Sequence, residues 1–325
     1  MNTKFFVTLF LAIACLIPAI AQYDFDTVEK DRMARAKVKT QTQWTYDYVD
    51  GKPSAKGYKS SVTKYNAKGN ITEVAKYNAE GKVISLVVYQ YDNNDNRVNY
   101  ERYDGNRDKL QRSQKITYDP KGNKTREYGY DGASVYSNTY QYDGNGKLSE
   151  IQYTADNALV EKRQLKYSGN KTEIMVYDQS NNLVFRQENL YNEKGLLVSE
   201  VKTEGKGNVV HSLNLQYNNQ NELTEEVRKR ADDKLDYQKL YQYDRENRPV
   251  KEETVTMDGI RYVSYEYQYN NLGDLSLKSW KKNERSQTSS TVSYKYDSNR
   301  LCTEEDSFFA TYDLRSLYKY TYEFF

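Results

Sequence analysis

A tyrosine that ends a strand-like run and opens a turn returns along most of this chain at nearly constant spacing. The anchors are Tyr65, Tyr91, Tyr118, Tyr142, Tyr167, Tyr191, Tyr217, Tyr243, Tyr269 and Tyr296, separated by 24 to 27 residues. So steady a period marks a repeat architecture. Clean copies of the phrase run from Tyr140 to Leu148 and from Tyr267 to Leu275, with a looser one from Val87 to Val98. Alternation before the anchor reads as strand. Asp or Asn after it accepts hydrogen bonds from amides further along the turn. Gly or Asn at the fourth position tolerates positive φ. A second turn sits midway in each unit, as at Tyr77-Asn78-Ala79-Glu80-Gly81, Tyr103-Asp104-Gly105 and Met257-Asp258-Gly259. Each unit is therefore two strands and two turns.

With 34 tyrosines among 325 residues and 29% charged residues, the apolar area must come largely from Tyr rings, which bury a face and keep a wet hydroxyl. That composition suits a thin, elongated sheet. The expected fold is all-β: a repetitive antiparallel β-hairpin array, an open, curved or spiral sheet of about ten repeats of about 26 residues. Four stretches follow from the patterning. Residues 1–21 form a signal peptide, and 22–39 a charged arm or short helix. Residues 40–64, with Trp44, Tyr46 and Tyr48, form an irregular capping hairpin, and 65–325 form the array.

The signal peptide is read from Lys4, an apolar run from Phe5 to Ile17, and a small-x-small site ending at Ala21. Lipoprotein anchoring through Cys15 is the weaker alternative, since Leu11 stands one position too early for a lipobox. The expected location is the periplasm, cell surface or exterior, with no integral membrane span in the mature chain. Cleavage would leave Cys302 as the sole cysteine, which excludes a disulfide framework within one chain. One cysteine and one histidine, His211, cannot supply a zinc site of the usual kind. A net charge of +2 gives no field to gather nucleic acid.

Chemistry-bearing patterns are sparse. The adjacent acids Glu225-Glu226, Glu252-Glu253 and Glu304-Glu305-Asp306 alternate between strand faces, so they do not converge as a glycosidase pair would. The run from Asp92 to Asn96 lacks the Gly and Glu of a calcium loop and reads as a turn. His211 has no triad signature around it. The expectation is no catalytic residue, no metal and no cofactor. What remains is an aromatic ladder, because each anchor and the residue two before it share a face. Its candidate binding residues are Tyr89, Tyr91, Tyr140, Tyr142, Tyr241, Tyr243, Tyr267, Tyr269, Tyr294 and Tyr296. The expected partner is a glycan or another envelope or extracellular protein.

The phrase Tyr140-Gln141-Tyr142-Asp143-Gly144-Asn145-Gly146-Lys147-Leu148 resembles the YD repeat of the RHS family of exported bacterial proteins, as do Tyr118 to Asn123 and Tyr191 to Leu197. The resemblance spans Tyr65 to the C-terminus and implies a spiralling sheet of stacked hairpins, at cell surfaces or as a toxin shell. MORN-like repeats are similar in phrasing at Tyr77 to Lys82. The functional expectation is an exported, non-enzymatic β-repeat protein acting as an envelope binding or structural module, with carbohydrate among its ligands. The alternatives are an outer-membrane β-barrel and a shell or accessory component of an RHS-type toxin system. Tyr318, Tyr320, Tyr322, Phe324 and Phe325 fit the barrel, while strands such as Leu223 to Arg230 offer lipid no apolar face.

Overall fold

The computed structural model describes residues 25–325. The expected signal peptide, with Cys15 and its cleavage site, lies outside the described residues. An 11-residue helix, Phe25–Arg35, precedes 23 strands joined in one antiparallel sheet. The strand Lys52–Pro53 is only a two-residue return on the strand before it. The other 22 carry the architecture.

The opening strand, Val38–Val49, is paired on both edges. Thr42 faces Val62 on one side and Thr321 of the final strand, Leu314–Phe324, on the other. The remaining strands pair in chain order, so 22 strands close into a barrel. This corrects the expectation of an open, curved or spiral array. Closure removes the row of unpaired amides and carbonyls that an edge strand exposes. The repeat encodes each hairpin and its neighbours. Whether the last strand meets the first depends on tilt and stagger summed over the whole sheet.

The turns follow the residues that mark them. Asp92 Oδ1 accepts the amides of Asn94 and Asn96 at 2.9 and 2.8 Å. Asp119, Asp143, Asn192, Asn218, Asp244 and Asn270 hold their turns in the same way. In these turns the fourth residue after the anchor has positive φ, 78° at Gly146 and 71° at Asp95, while the shorter turn after Tyr167 puts it at Gly169.

Each of these turns is followed by a register shift, as between Gln90 and Tyr91. On the far side of the same strand the ladder then stops short. Between Arg97–Asp104 and Lys109–Tyr118 the last pair is Asn99 with Lys115, which leaves the Arg97 carbonyl beyond the ladder. The Tyr118 hydroxyl donates to that carbonyl at 3.1 Å. Tyr91, Tyr142, Tyr167, Tyr217, Tyr243, Tyr269, Tyr296 and Tyr322 make the same bond. Each reaches the first residue of the strand before its own, at 2.6–3.0 Å. The anchor tyrosine thus carries the sheet past its last backbone pair.

Beneath the rings lie small aliphatic clusters. One joins Leu148, Leu165 and Ile174 under Tyr140, Tyr142 and Tyr167. Another joins Leu197, Leu215 and Leu223 beside Tyr191, Tyr217 and Tyr241. Fully burying such a side chain contributes about 1.5–3 kcal/mol, so stability is spread around the ring.

The helix lies across the closure. Met33, Val38 and Leu301 form a core at 0–1% exposure, flanked by Tyr65 and Tyr322. Lys30 Nζ meets Asp95 at 2.6 Å, and Arg32 meets Asp274 at 2.8 Å. From strand Val83–Tyr91 back through the opening and final strands to Leu275–Trp280 is seven strand steps. That is roughly 33 Å along a flat wall. Two side chains two residues apart on a helix cannot span it. The wall must curve around the helix, which therefore sits on the concave side. The face whose rings it touches, those of Tyr65, Tyr296 and Tyr322, is the barrel lining.

Candidate binding surface

The ten tyrosines singled out from the sequence all lie on this lining, on strands Val83–Tyr91, Val135–Tyr142, Leu235–Tyr243, Arg261–Tyr269 and Ser290–Tyr296. They form a belt around the ring and do not converge on one pocket. Most are engaged by neighbours. The hydroxyls of Tyr91, Tyr142, Tyr243, Tyr269 and Tyr296 hold the strand-start carbonyls described above. Tyr241 donates to Glu226 at 3.3 Å, and Tyr140 meets Glu127 at 3.5 Å. Tyr89 packs on Tyr100 with centroids 5.5 Å apart, and Tyr267 stacks on Tyr265 at 6.2 Å. Tyr294 completes its strand's lining beside the buried Val292.

Cations cover several ring faces. Arg248 lies 4.5 Å over Tyr269, Lys124 5.4 Å over Tyr140, and Arg32 5.1 Å over Tyr296. Lys278 stands between Tyr265, Tyr267 and Trp280. A sugar stacking there would have to displace a cation–π contact of about 0.5–2 kcal/mol. Tyr89 and Tyr91 differ. They line a cleft of about 560 Å3 with Asn66, Lys68, Asp92 and Asn93. Asp95 at its rim is held below the usual carboxylate range, chiefly by the hydrogen bond from Lys30.

The opposite, outward face is a lattice of ion pairs. Lys64 meets Glu73 at 2.8 Å, Lys171 meets Glu188 at 2.9 Å, and Arg261 meets Glu253 at 2.6 Å. Lys295 with Glu304 and Arg315 with Asp306 continue it towards the seam. The adjacent acids are split between faces: Glu226 accepts Tyr237 and Tyr241 on the lining, while Glu225 pairs in register with Leu240. His211 lies on the lining and bonds Glu200 at 3.0 Å. Among the described residues no three His, Cys, Asp or Glu side chains converge as a metal site.

Sequence reasoning missed the contacts made by the helix. Asp274 is fully buried and receives both Arg32 and Arg300. Nothing local to the helix, FDTVEKDRMAR, announces that Arg32 will meet a turn 242 residues away.

No family model matches the sequence, and no curated protein matches it. Among solved structures, a porin-like protein from Bacteroides uniformis is 12% identical, with 65% of this chain and 95% of that one covered and a TM-score of 0.33. A porin-like protein from Bacteroides vulgatus is 12% identical, with 74% and 97% covered and a TM-score of 0.26. A TcdB2–TccC3 complex is 11% identical, with 82% of this chain and 18% of that one covered and a TM-score of 0.24. This chain spans less than a fifth of that last structure. Superpositions this loose establish no shared fold, and the functional reading rests on the chain's own geometry.

Proposed function

We propose that this chain is an envelope β-barrel of the outer-membrane type and not an open binding module. Ring closure carries the reading: Val38–Val49 pairs with both the second long strand and the last. Antiparallel strands joined by tight turns, closed without an edge, are the architecture that spans outer membranes. Short strands, the expected leader and the aromatic C-terminal run of Tyr318, Tyr320, Tyr322, Phe324 and Phe325 are consistent with it. The barrel's task then belongs to its tyrosine-lined interior, as a conduit or receptor for polar solutes, with no catalytic step. A glycan remains the solute class that such a lining suits best, through aromatic faces and amides.

A second reading is favoured by the outward face. Lipid requires an apolar band about 25 Å tall, and a Lys or Arg at the bilayer midplane costs about 2–4 kcal/mol. The outward pairs Lys171–Glu188, Lys251–Glu253 and Arg261–Glu253 are suited to water. The same barrel would then be a water-exposed vessel, the arrangement that the RHS-type shell alternative implies. Expression with the native leader, followed by carbonate washing and flotation of membranes, separates the two. The membrane reading expects a floating barrel that shifts on gels only after boiling. Recovery of folded barrel in the wash would transfer the chain to the vessel reading.

A further inference from the structure

We propose a binding site for a carboxylated sugar, of the hexuronate kind, in a cleft of the lining on the strands between Arg97 and Tyr142. It is separate from the Tyr89–Tyr91 cleft and holds for either placement of the barrel. Gly129 leaves the lining without a side chain between two residues of this cleft. The glycine lies opposite Gln114 on one side and Tyr136 on the other, so a side chain there would fill the lining. A Cβ at Gly129 would also collide with the Ser113 carbonyl, so close strand approach keeps the position empty. The cleft is about 280 Å3, the scale of a single sugar residue, with Tyr100, Tyr130 and Tyr136 as its rings.

Two arginines line this hollow. Arg97 donates to the neutral Gln114 amide oxygen at 2.8 Å, and Arg112 borders the same cleft. Neither belongs to an ion pair among those of the described residues, whereas Lys124, Arg163 and Arg248 on the lining each have a carboxylate. The two acids of the cleft are committed to the fold. Glu127 is buried and receives Lys124 and Tyr140. Asp131 accepts the amides of Ser134 and Ala133 in its turn, which chiefly hold its carboxyl below the usual range, with the Arg112 charge a smaller contribution across the cleft. The site thus offers planar cationic forks and aromatic faces, the complement of a ring bearing a carboxylate.

The test titrates the purified full chain with galacturonic acid, galactose and galactose 6-phosphate by calorimetry. Galacturonate should bind saturably and at least about tenfold more tightly than galactose, the loss expected for one charge-assisted hydrogen bond. Arg112→Gln should remove about that factor for galacturonate while leaving the circular dichroism spectrum unchanged. Arg126→Gln, on the outward face, should change nothing. The assignment is overturned by failure of galacturonate to bind, by equal affinity for galactose, by tighter binding of the phosphate, or by an Arg112→Gln variant that binds as before.

Discussion

At the scale of single residues, the anchor tyrosine is a ladder extender. Its hydroxyl replaces the backbone partner that the strand before it lacks, at Ile71, Arg97, Lys124 and the other strand starts. Tyr269→Phe keeps the ring and strands the Pro249 carbonyl, at a cost of about 1–3 kcal/mol. Urea denaturation should show a lower midpoint, and no shift would remove this role. The turn carboxylates add a pH dependence. Asp92 and Asp119 are held below the usual carboxylate range, first by the side-chain hydrogen bonds from Asn96 and Asn123 and then by turn amides. A depressed folded pKa means stability that is present above the unfolded value near 3.9 and lost as pH falls through the folded value. Thermal stability should therefore drop below about pH 4, and Asp92→Asn with Asp119→Asn should blunt that drop.

At the scale of elements, the helix Phe25–Arg35 is tied to turns that come from both ends of the chain. Gly69 and Gly81 give a matched test. Both have φ near +79°, but a Cβ at Gly69 would collide with the Lys30 carbonyl while one at Gly81 would meet nothing. Gly81→Ala should cost about 1 kcal/mol for the left-handed backbone alone. Gly69→Ala should cost more and should release the helix, seen as early proteolysis before residue 38. Equal melting temperatures for the two variants would show that the helix contributes little. Arg32→Met removes one of two guanidiniums from the buried Asp274. Breaking a buried ion pair costs about 3–5 kcal/mol, and the remaining Arg300 places this variant at the lower end.

At the scale of the whole molecule, the closing strand governs the fold. Gln41 sits at the seam and bonds both neighbours: its amide nitrogen donates to the Tyr322 hydroxyl at 3.1 Å, and its oxygen accepts from Tyr65 at 3.3 Å. Thr42→Pro removes a donor in a strand that is paired on both sides. Opening the ring there should expose two edges at once. Limited proteolysis should then cut near residues 38–65, and the variant should aggregate where the parent stays dispersed. A variant that keeps the parent's protease resistance and solubility would show that closure does not depend on this strand.

The hairpins, their turns and the shared face of Tyr89 with Tyr91, or Tyr267 with Tyr269, were legible from residue order, because each depends on contacts within about 30 residues. The same locality explains why the acids at 225–226 read correctly as lying on alternate faces. Asp274 gave no such sign. Its turn looks like the others, and its burial comes from a helix at the far end of the chain. Gly129 reads as an ordinary strand glycine until Gln114 and Tyr136 are placed beside it. By itself the sequence determined the unit: two strands, two turns and a tyrosine at the end of every second strand. Tertiary structure alone decided that the sheet closes, that the anchor tyrosines line the inside, and that the face turned outward carries ion pairs such as Lys171–Glu188 and Arg261–Glu253. Closure is a sum of small twists over 22 strands, and no one repeat carries the sum.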